Sequence, residues 1–120
     1  MLGYWAFIAV PGEPYIQGFQ GYLDQAITWA QQCGLKVWID LHGAPGIQLP
    51  ISTNSGSQNG FDNSGRRGPV NWGTGDTVAY TQQTLQVIVN KYSAAPYAGT
   101  VVGIELLNEP NGYIVDQYNI

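Results

Sequence analysis

Residues 101–110, VVGIELLNEP, constrain this chain more than any other stretch. Val101, Val102, Ile104, Leu106 and Leu107 form an almost unbroken apolar run. That is the pattern of a parallel strand covered on both faces. Asn108-Glu109-Pro110 ends it, because Pro110 has no N–H for a ladder and restricts the backbone of the residue before it. Side chains alternate along a strand, which predicts Glu105, Leu107 and Glu109 on one face. Two readings of the terminus stand: a merely polar strand end, or a carboxylate presented where parallel α/β barrels keep their chemistry.

The rest of the chain repeats the same unit. Residues 4–10 are apolar and β-prone and run into Pro11-Gly12, which predicts a strand and a loop. Ile16, Phe19, Leu23, Ala26, Ile27 and Ala30 keep a helical period across residues 16–33, and Gly34 stands where a helix C-cap belongs. Residues 35–41, LKVWIDL, read as a second buried strand that stops at His42-Gly43-Ala44-Pro45-Gly46. Residues 47–75 are polar, rich in Gly and Asn, and have no sustained period. A loop of that length in a compact domain is functional or disordered. Asp76 or Thr77 can cap a helix with the stripe Val78, Leu85, Ile88, Val89 and Tyr92. Strand, helix, strand, helix, strand predicts an α/β fold with a parallel sheet and right-handed crossovers. Three such strands are under half of a (β/α)8 barrel, which takes roughly 250 residues.

Composition excludes several function classes. The net charge is -4 and the four basic residues form no patch beyond Arg66-Arg67, which argues against a nucleic-acid partner. One cysteine, Cys33, excludes an internal disulfide, and with a single histidine no protein-built transition-metal site is expected. Charged residues are only 10% of the chain, beside four Trp and eight Tyr, a composition that suits an extracellular protein and a neutral ligand. The N-terminal MLGYWAFIAVPGEP has no basic leading segment and is too short to span a membrane. It reads as neither a signal peptide nor an anchor, and the expectation is that the natural N-terminus lies upstream.

His42 and Glu109 each follow a buried strand at the same end of the sheet, so neighbouring strands would bring them to one cleft. His42 can serve the chemistry or be a structural hydrogen-bonding group. Asp40 and Glu105 lie lower on the same faces, and interior roles are expected for both. Glycosidic hydrolysis with retention needs two carboxyl groups roughly 5–5.5 Å apart, and with inversion about 6.5–9.5 Å. Glu105 is roughly 13 Å down the strand from Glu109 and cannot be its partner. Asp40 falls about 7 Å below His42, away from the cleft. Asp62 is on the long loop, where sequence does not place it. The chain therefore offers one acid/base candidate, Glu109, and no evident nucleophile. Phe61 lies in a polar loop and can stack on a sugar or anchor the loop from beneath.

Residues 40–46 (DLHGAPG), 57–65 (SQNGFDNSG) and 103–110 (GIELLNEP) together closely resemble the fungal exo-β-1,3-glucanases of glycoside hydrolase family 5. Residues 3–7 (GYWAF) resemble the second barrel strand of that family, and the resemblance covers roughly residues 3–112. It implies a partial (β/α)8 barrel, about strands 2 to 4, from a retaining, exo-acting enzyme that releases glucose from β-1,3-glucan. By the resemblance, Glu109 is the general acid/base and Asn108 holds the sugar 2-OH. His42 binds substrate at the cleavage subsite, Phe61 stacks on the aglycone side, and Asn63 is a further contact. The resemblance also implies a monomeric, secreted or cell-wall parent that needs no cofactor.

Three departures from the family pattern shape the expectation. The family's nucleophilic Glu lies on a later strand, with no counterpart in this chain. Met1-Leu2 replaces an arginine-bearing strand start. Residues 47–56, IQLPISTNSG, interrupt a normally direct run and read as an insertion of unspliced-intron or gene-prediction origin; residues 113–120 read as a non-family tail. Residues 1–120 are thus expected to form a single incomplete barrel domain, inactive and poorly soluble alone. The rival expectation is a non-catalytic β-glucan-binding module using Phe61, Trp5 and Trp72.

Overall fold

The computed structural model describes residues 2–11, 15–45 and 72–108. Three parallel strands form a sheet in chain order, β1 (Leu2–Gly3), β2 (Val37–Gly43) and β3 (Val101–Glu105). Two helices make the crossovers, α1 (Gln20–Gln32) and α2 (Thr77–Tyr92). The expected α/β order is present, with shifted boundaries.

The central strand β2 has two unlike faces. Ile39 and Leu41 are 2% and 0% exposed, whereas Trp38 on the opposite face is 66% exposed. Ile39 joins Ile27 of α1 and Ile88 and Tyr92 of α2 in one core cluster, with Val37, Val101 and Ile104 packed against it. Both helices therefore cover the same face of the sheet. Trp38, Asp40 and His42 alternate onto the other face.

Register explains why β3 fits this sheet. Val37 pairs with Val101, but Trp38 pairs with Gly103, so Val102 is an extra residue. A bulge of this kind resets the alternation. It lets both Val101 and Ile104 reach the helix side and leaves Val102 57% exposed. Beyond the bulge, Asp40 stands beside Glu105. A Cβ on Gly103 would lie 2.6 Å from the Trp38 indole, so only glycine admits the ring at this height.

Three expectations need correction. Residues 4–10 do not form a strand. After the two paired residues of β1 the backbone closes a 3-10 turn over Tyr4–Ala6, with the Phe7 and Ile8 N–H groups donating to the Tyr4 carbonyl at 2.9 and 3.0 Å. Trp5 stacks on Tyr15 at 4.1 Å and Tyr4 is fully buried, so aromatic packing turns the segment inward. Second, β3 ends at Glu105, short of the apolar run. Leu106 is 63% exposed and Leu107 packs on Ala44 and Trp72, so the predicted shared face of Glu105 and Leu107 is not strand alternation. Third, α1 begins at Gln20, leaving Ile16 79% exposed ahead of it.

The helices end and pack for specific reasons. Gly34 takes φ +70°, its N–H donates to the Gln31 carbonyl, and the Leu35 N–H reaches the Ala30 carbonyl. That is a Schellman cap, which requires a residue comfortable in the left-handed region. On α2 the buried line is Thr77, Thr81, Thr84, Ile88 and Tyr92, and Val89, expected inside, is 41% exposed. Threonine can be buried here because each hydroxyl finds a carbonyl. Thr81 donates to Thr77 O and Thr84 to Tyr80 O, both at 2.8 Å. Trp72, only 2% exposed, donates Nε1–H to Thr81 Oγ1 at 2.9 Å.

One polar contact joins the two helices. Asp24 accepts hydrogen bonds from Lys91 Nζ at 2.7 Å and the Tyr92 hydroxyl at 2.8 Å. Burial pushes the Asp24 carboxyl up, but the Lys91 and Tyr92 hydrogen bonds and the Lys91 charge outweigh it, holding the group below its usual range. Burial, then the adjacent Asp24 carboxylate, pushes the Tyr92 phenol well above its ordinary value.

Candidate functional site

The open face of β2 carries Asp40 and His42. His42 is the next-to-last residue of the strand, inside it rather than beyond its end as expected from sequence. The Gly3–Gly43 pairing prolongs the strand past Leu41. His42 Nδ1 lies 2.7 Å from Asp40 Oδ2. The side chains are 17% and 29% exposed, shielded from solvent without being sealed from it. The second Asp40 oxygen, Oδ1, is buried with no hydrogen-bond partner among the described residues.

This pair was not anticipated. Sequence spacing puts the two backbones about 7 Å apart, which suggested separate levels. Two residues apart on one strand share a face, however, and the side chains lean together across that gap. The D-x-H pattern on a strand was the available signal. An ionised carboxylate only accepts, so Nδ1 must carry the proton that lies between them. Nε2 is then the ring's acceptor when the imidazole is neutral and a second donor when it is charged.

The end of β3 is tied to the same place. The Asn108 N–H donates to the Leu41 carbonyl at 3.1 Å, one residue before His42. Beneath this link, Ala44 just after β2 packs with Trp72, and Val78 and Leu107 lie against them. The C-terminal ends of β2 and β3 are thereby held side by side as far as Asn108. Glu109, Phe61 and Asn63 lie outside the described residues, as do residues 47–56 and 113–120.

Glu105, expected to be an interior group, is exposed at the end of β3. Trp72 is buried against α2 with its N–H spent on Thr81, so it offers no ring face to a polysaccharide. Trp5 already stacks on Tyr15 at 4.1 Å. Two of the three aromatic rings on which a binding module would rely are thus engaged inside the protein. Among the described residues, no three His, Cys, Asp or Glu side chains gather as a metal site would require.

Comparison with known proteins identifies the family. The family profile described as Cellulase (glycosyl hydrolase family 5) matches residues 11–119. Glucan 1,3-beta-glucosidase 1 of Schizosaccharomyces pombe is 53% identical over 115 residues, 96% of this chain and 26% of the relative. Glucan 1,3-beta-glucosidase 2 of Wickerhamomyces anomalus is 50% identical over 115 residues, 96% of this chain and 25% of the relative. The glucan 1,3-beta-glucosidase of Blumeria graminis is 50% identical over 109 residues, 91% of this chain and 23% of the relative. The chain spans about a quarter of the length of these curated relatives. With a profile match across most of its length and relatives at about half identity, the chain belongs to the cellulase family, glycosyl hydrolase family 5.

Proposed function

We propose that residues 1–120 are the acid/base portion of a retaining, exo-acting β-1,3-glucan hydrolase that releases glucose. Glu109 protonates the departing glycosidic oxygen and later deprotonates the attacking water. Asn108 holds the sugar 2-OH beside the scissile bond, His42 binds the same sugar ring, and Phe61 stacks beyond the cleavage point, with Asn63 a further contact. The observation that carries this reading is the Asn108 N–H to Leu41 carbonyl bond, which brings the residue before Glu109 alongside the strand of His42. The names of the relatives support the substrate class.

The same reading takes the sheet as about strands 2 to 4 of a (β/α)8 barrel. Parallel strands in chain order with both helices on one face support it, because a doubly wound sheet puts helices on both faces. The face bearing Asp40 and His42 is then the barrel interior, and the clamped strand ends are the catalytic mouth. The nucleophilic carboxylate belongs to a later strand, so residues 1–120 alone do not complete the pair. The parent enzyme works outside the cell or at the cell wall.

The test exchanges the matching quarter of the Schizosaccharomyces pombe relative for this chain. The chimera should release glucose from laminarin, and Glu109→Gln should abolish that release. The Gln variant should still form the glycosyl-enzyme from an aryl β-glucoside with a good leaving group, which needs no protonation. Equal loss on both substrates would refute the acid/base role. The purified 120-residue chain should release no glucose, and measurable release would overturn the need for a second carboxylate.

A further inference from the structure

We propose that Asp40 is a positioning residue that locks the His42 ring with its proton on Nδ1, so that Nε2 works as an acceptor toward a sugar hydroxyl. This rests on the reading that His42 contacts the sugar.

The geometry supplies each step. Asp40 Oδ2 and His42 Nδ1 are 2.7 Å apart, short for a neutral contact and typical of a charge-assisted hydrogen bond. Both residues sit on β2, which is paired to β1 on one side and β3 on the other. The opposite face of β2 is fixed by Ile39 and Leu41, at 2% and 0% exposure, against the core. The backbone that carries both side chains is therefore held in place. A solvent-exposed neutral histidine side chain favours the proton on Nε2, and the carboxylate reverses that preference. A neutral ring held this way accepts at Nε2 and does not donate there, so it selects a ligand hydroxyl that gives its hydrogen. A fluorine in place of that hydroxyl can accept but cannot give, and would be refused.

The experiment uses the only histidine of the chain. Long-range proton–nitrogen NMR of the 15N-labelled 120-residue protein, at mildly alkaline pH, reads the two ring nitrogens without assignment ambiguity. The wild type should show a protonated Nδ1 and an unprotonated Nε2. In Asp40→Ala the ratio of the Nδ1–H to the Nε2–H form should fall about tenfold or more, the scale of one charge-assisted hydrogen bond. Asp40→Asn keeps the side-chain volume and serves if the alanine variant does not fold; it should lower the same ratio. A wild type with the proton on Nε2, or a ratio unchanged in a folded variant, overturns the proposal. Laminari-oligosaccharide titration of the chimera with the Schizosaccharomyces pombe relative separates this from the functional reading. A shift of the Nε2 resonance supports the sugar contact. In that chimera, no shift of the His42 signal, identified by its loss in His42→Ala, removes the contact and leaves the Asp40 assignment standing.

Discussion

Replacing Asp24 with alanine removes the acceptor that α1 offers to two donors of α2. The Tyr92 hydroxyl loses a partner at 2.8 Å, and Tyr92 is 0% exposed. Losing its charged acceptor leaves this buried hydroxyl with Gln20 as a side-chain partner, at a cost of about 1–3 kcal/mol. The Lys91 ammonium, on a side chain 33% exposed, retains access to water, so its pair with Asp24 contributes less than about 1 kcal/mol. Asp24→Ala should therefore destabilise by roughly 2–3 kcal/mol. Tyr92→Phe should cost about 1 kcal/mol, because Asp24 keeps Lys91 and its own solvent access. The double variant should cost little more than Asp24→Ala alone, a coupling of about 1–2 kcal/mol. Urea denaturation followed by tryptophan fluorescence measures all four corners. Strict additivity, or an Asp24→Ala cost under about 0.5 kcal/mol, would refute the staple.

The same contact sets the sign of two pH limbs. The folded Asp24 carboxyl is held below its ordinary value of about 3.9, so its contribution is complete above that value and disappears as pH falls through the folded pKa. The Tyr92 phenol is raised in the fold above its ordinary value of about 10. Its contribution is complete below that value and is lost as pH rises past it, when unfolded phenol ionises and folded phenol does not. Asp24→Asn should flatten the acid limb and Tyr92→Phe the alkaline one.

Gly103→Ala should cost about 1–3 kcal/mol and change the near-ultraviolet signal of Trp38, since the new Cβ would meet the indole at 2.6 Å; an unperturbed spectrum would sink this. Thr81→Val should cost about 1–3 kcal/mol by stranding the buried Trp72 N–H, whereas Thr84→Val, which strands no donor, should stay under about 1 kcal/mol. The purified chain should self-associate through its uncovered face and edge, where Trp38 is 66% and Val102 57% exposed. Val102→Lys should lower light scattering at fixed concentration, and a dilute monomer that stays monomeric on concentration would contradict this.

The element order from α1 onward was legible because two apolar runs and two helical stripes each carry their own period, whereas the apolar run 4–10 misplaced β1. Gly34 announced the end of α1 because only the left-handed region closes that cap. The buried face of α2 was not legible in hydrophobicity, since Thr77, Thr81 and Thr84 hide their polarity in local hydrogen bonds. The end of β3 was misjudged for a related reason. Leu107 is apolar because it packs on Trp72 and Ala44 past the strand end, and a one-dimensional pattern cannot separate that from strand continuation. Parallel topology put His42 and Glu109 at one end of the sheet as an expectation; Glu109 lies outside the described residues, and the structure places Asn108 against Leu41. The Asp40–His42 bond was not legible, because a rise per residue describes backbones and the contact is made by side chains.

The bulge at Val102 links this local detail to the site. Without the extra residue, Trp38 would stand beside Val102 instead of Gly103, and Asp40 beside Ile104 instead of Glu105. A β-branched side chain would then crowd the indole, and an aliphatic one would line the face that holds the Asp40–His42 pair. With it, Gly103 makes room for the ring and Glu105 stands level with Asp40, so both strands turn their polar residues to one side and their isoleucines to the helices. Register also determines which residues emerge at the strand ends. A slip of one residue would exchange the faces. It would break the Asn108 N–H to Leu41 carbonyl bond that ties the end of β3 to β2. One unpaired valine low in β3 thus sets which β3 residues share the face of Trp38, Asp40 and His42.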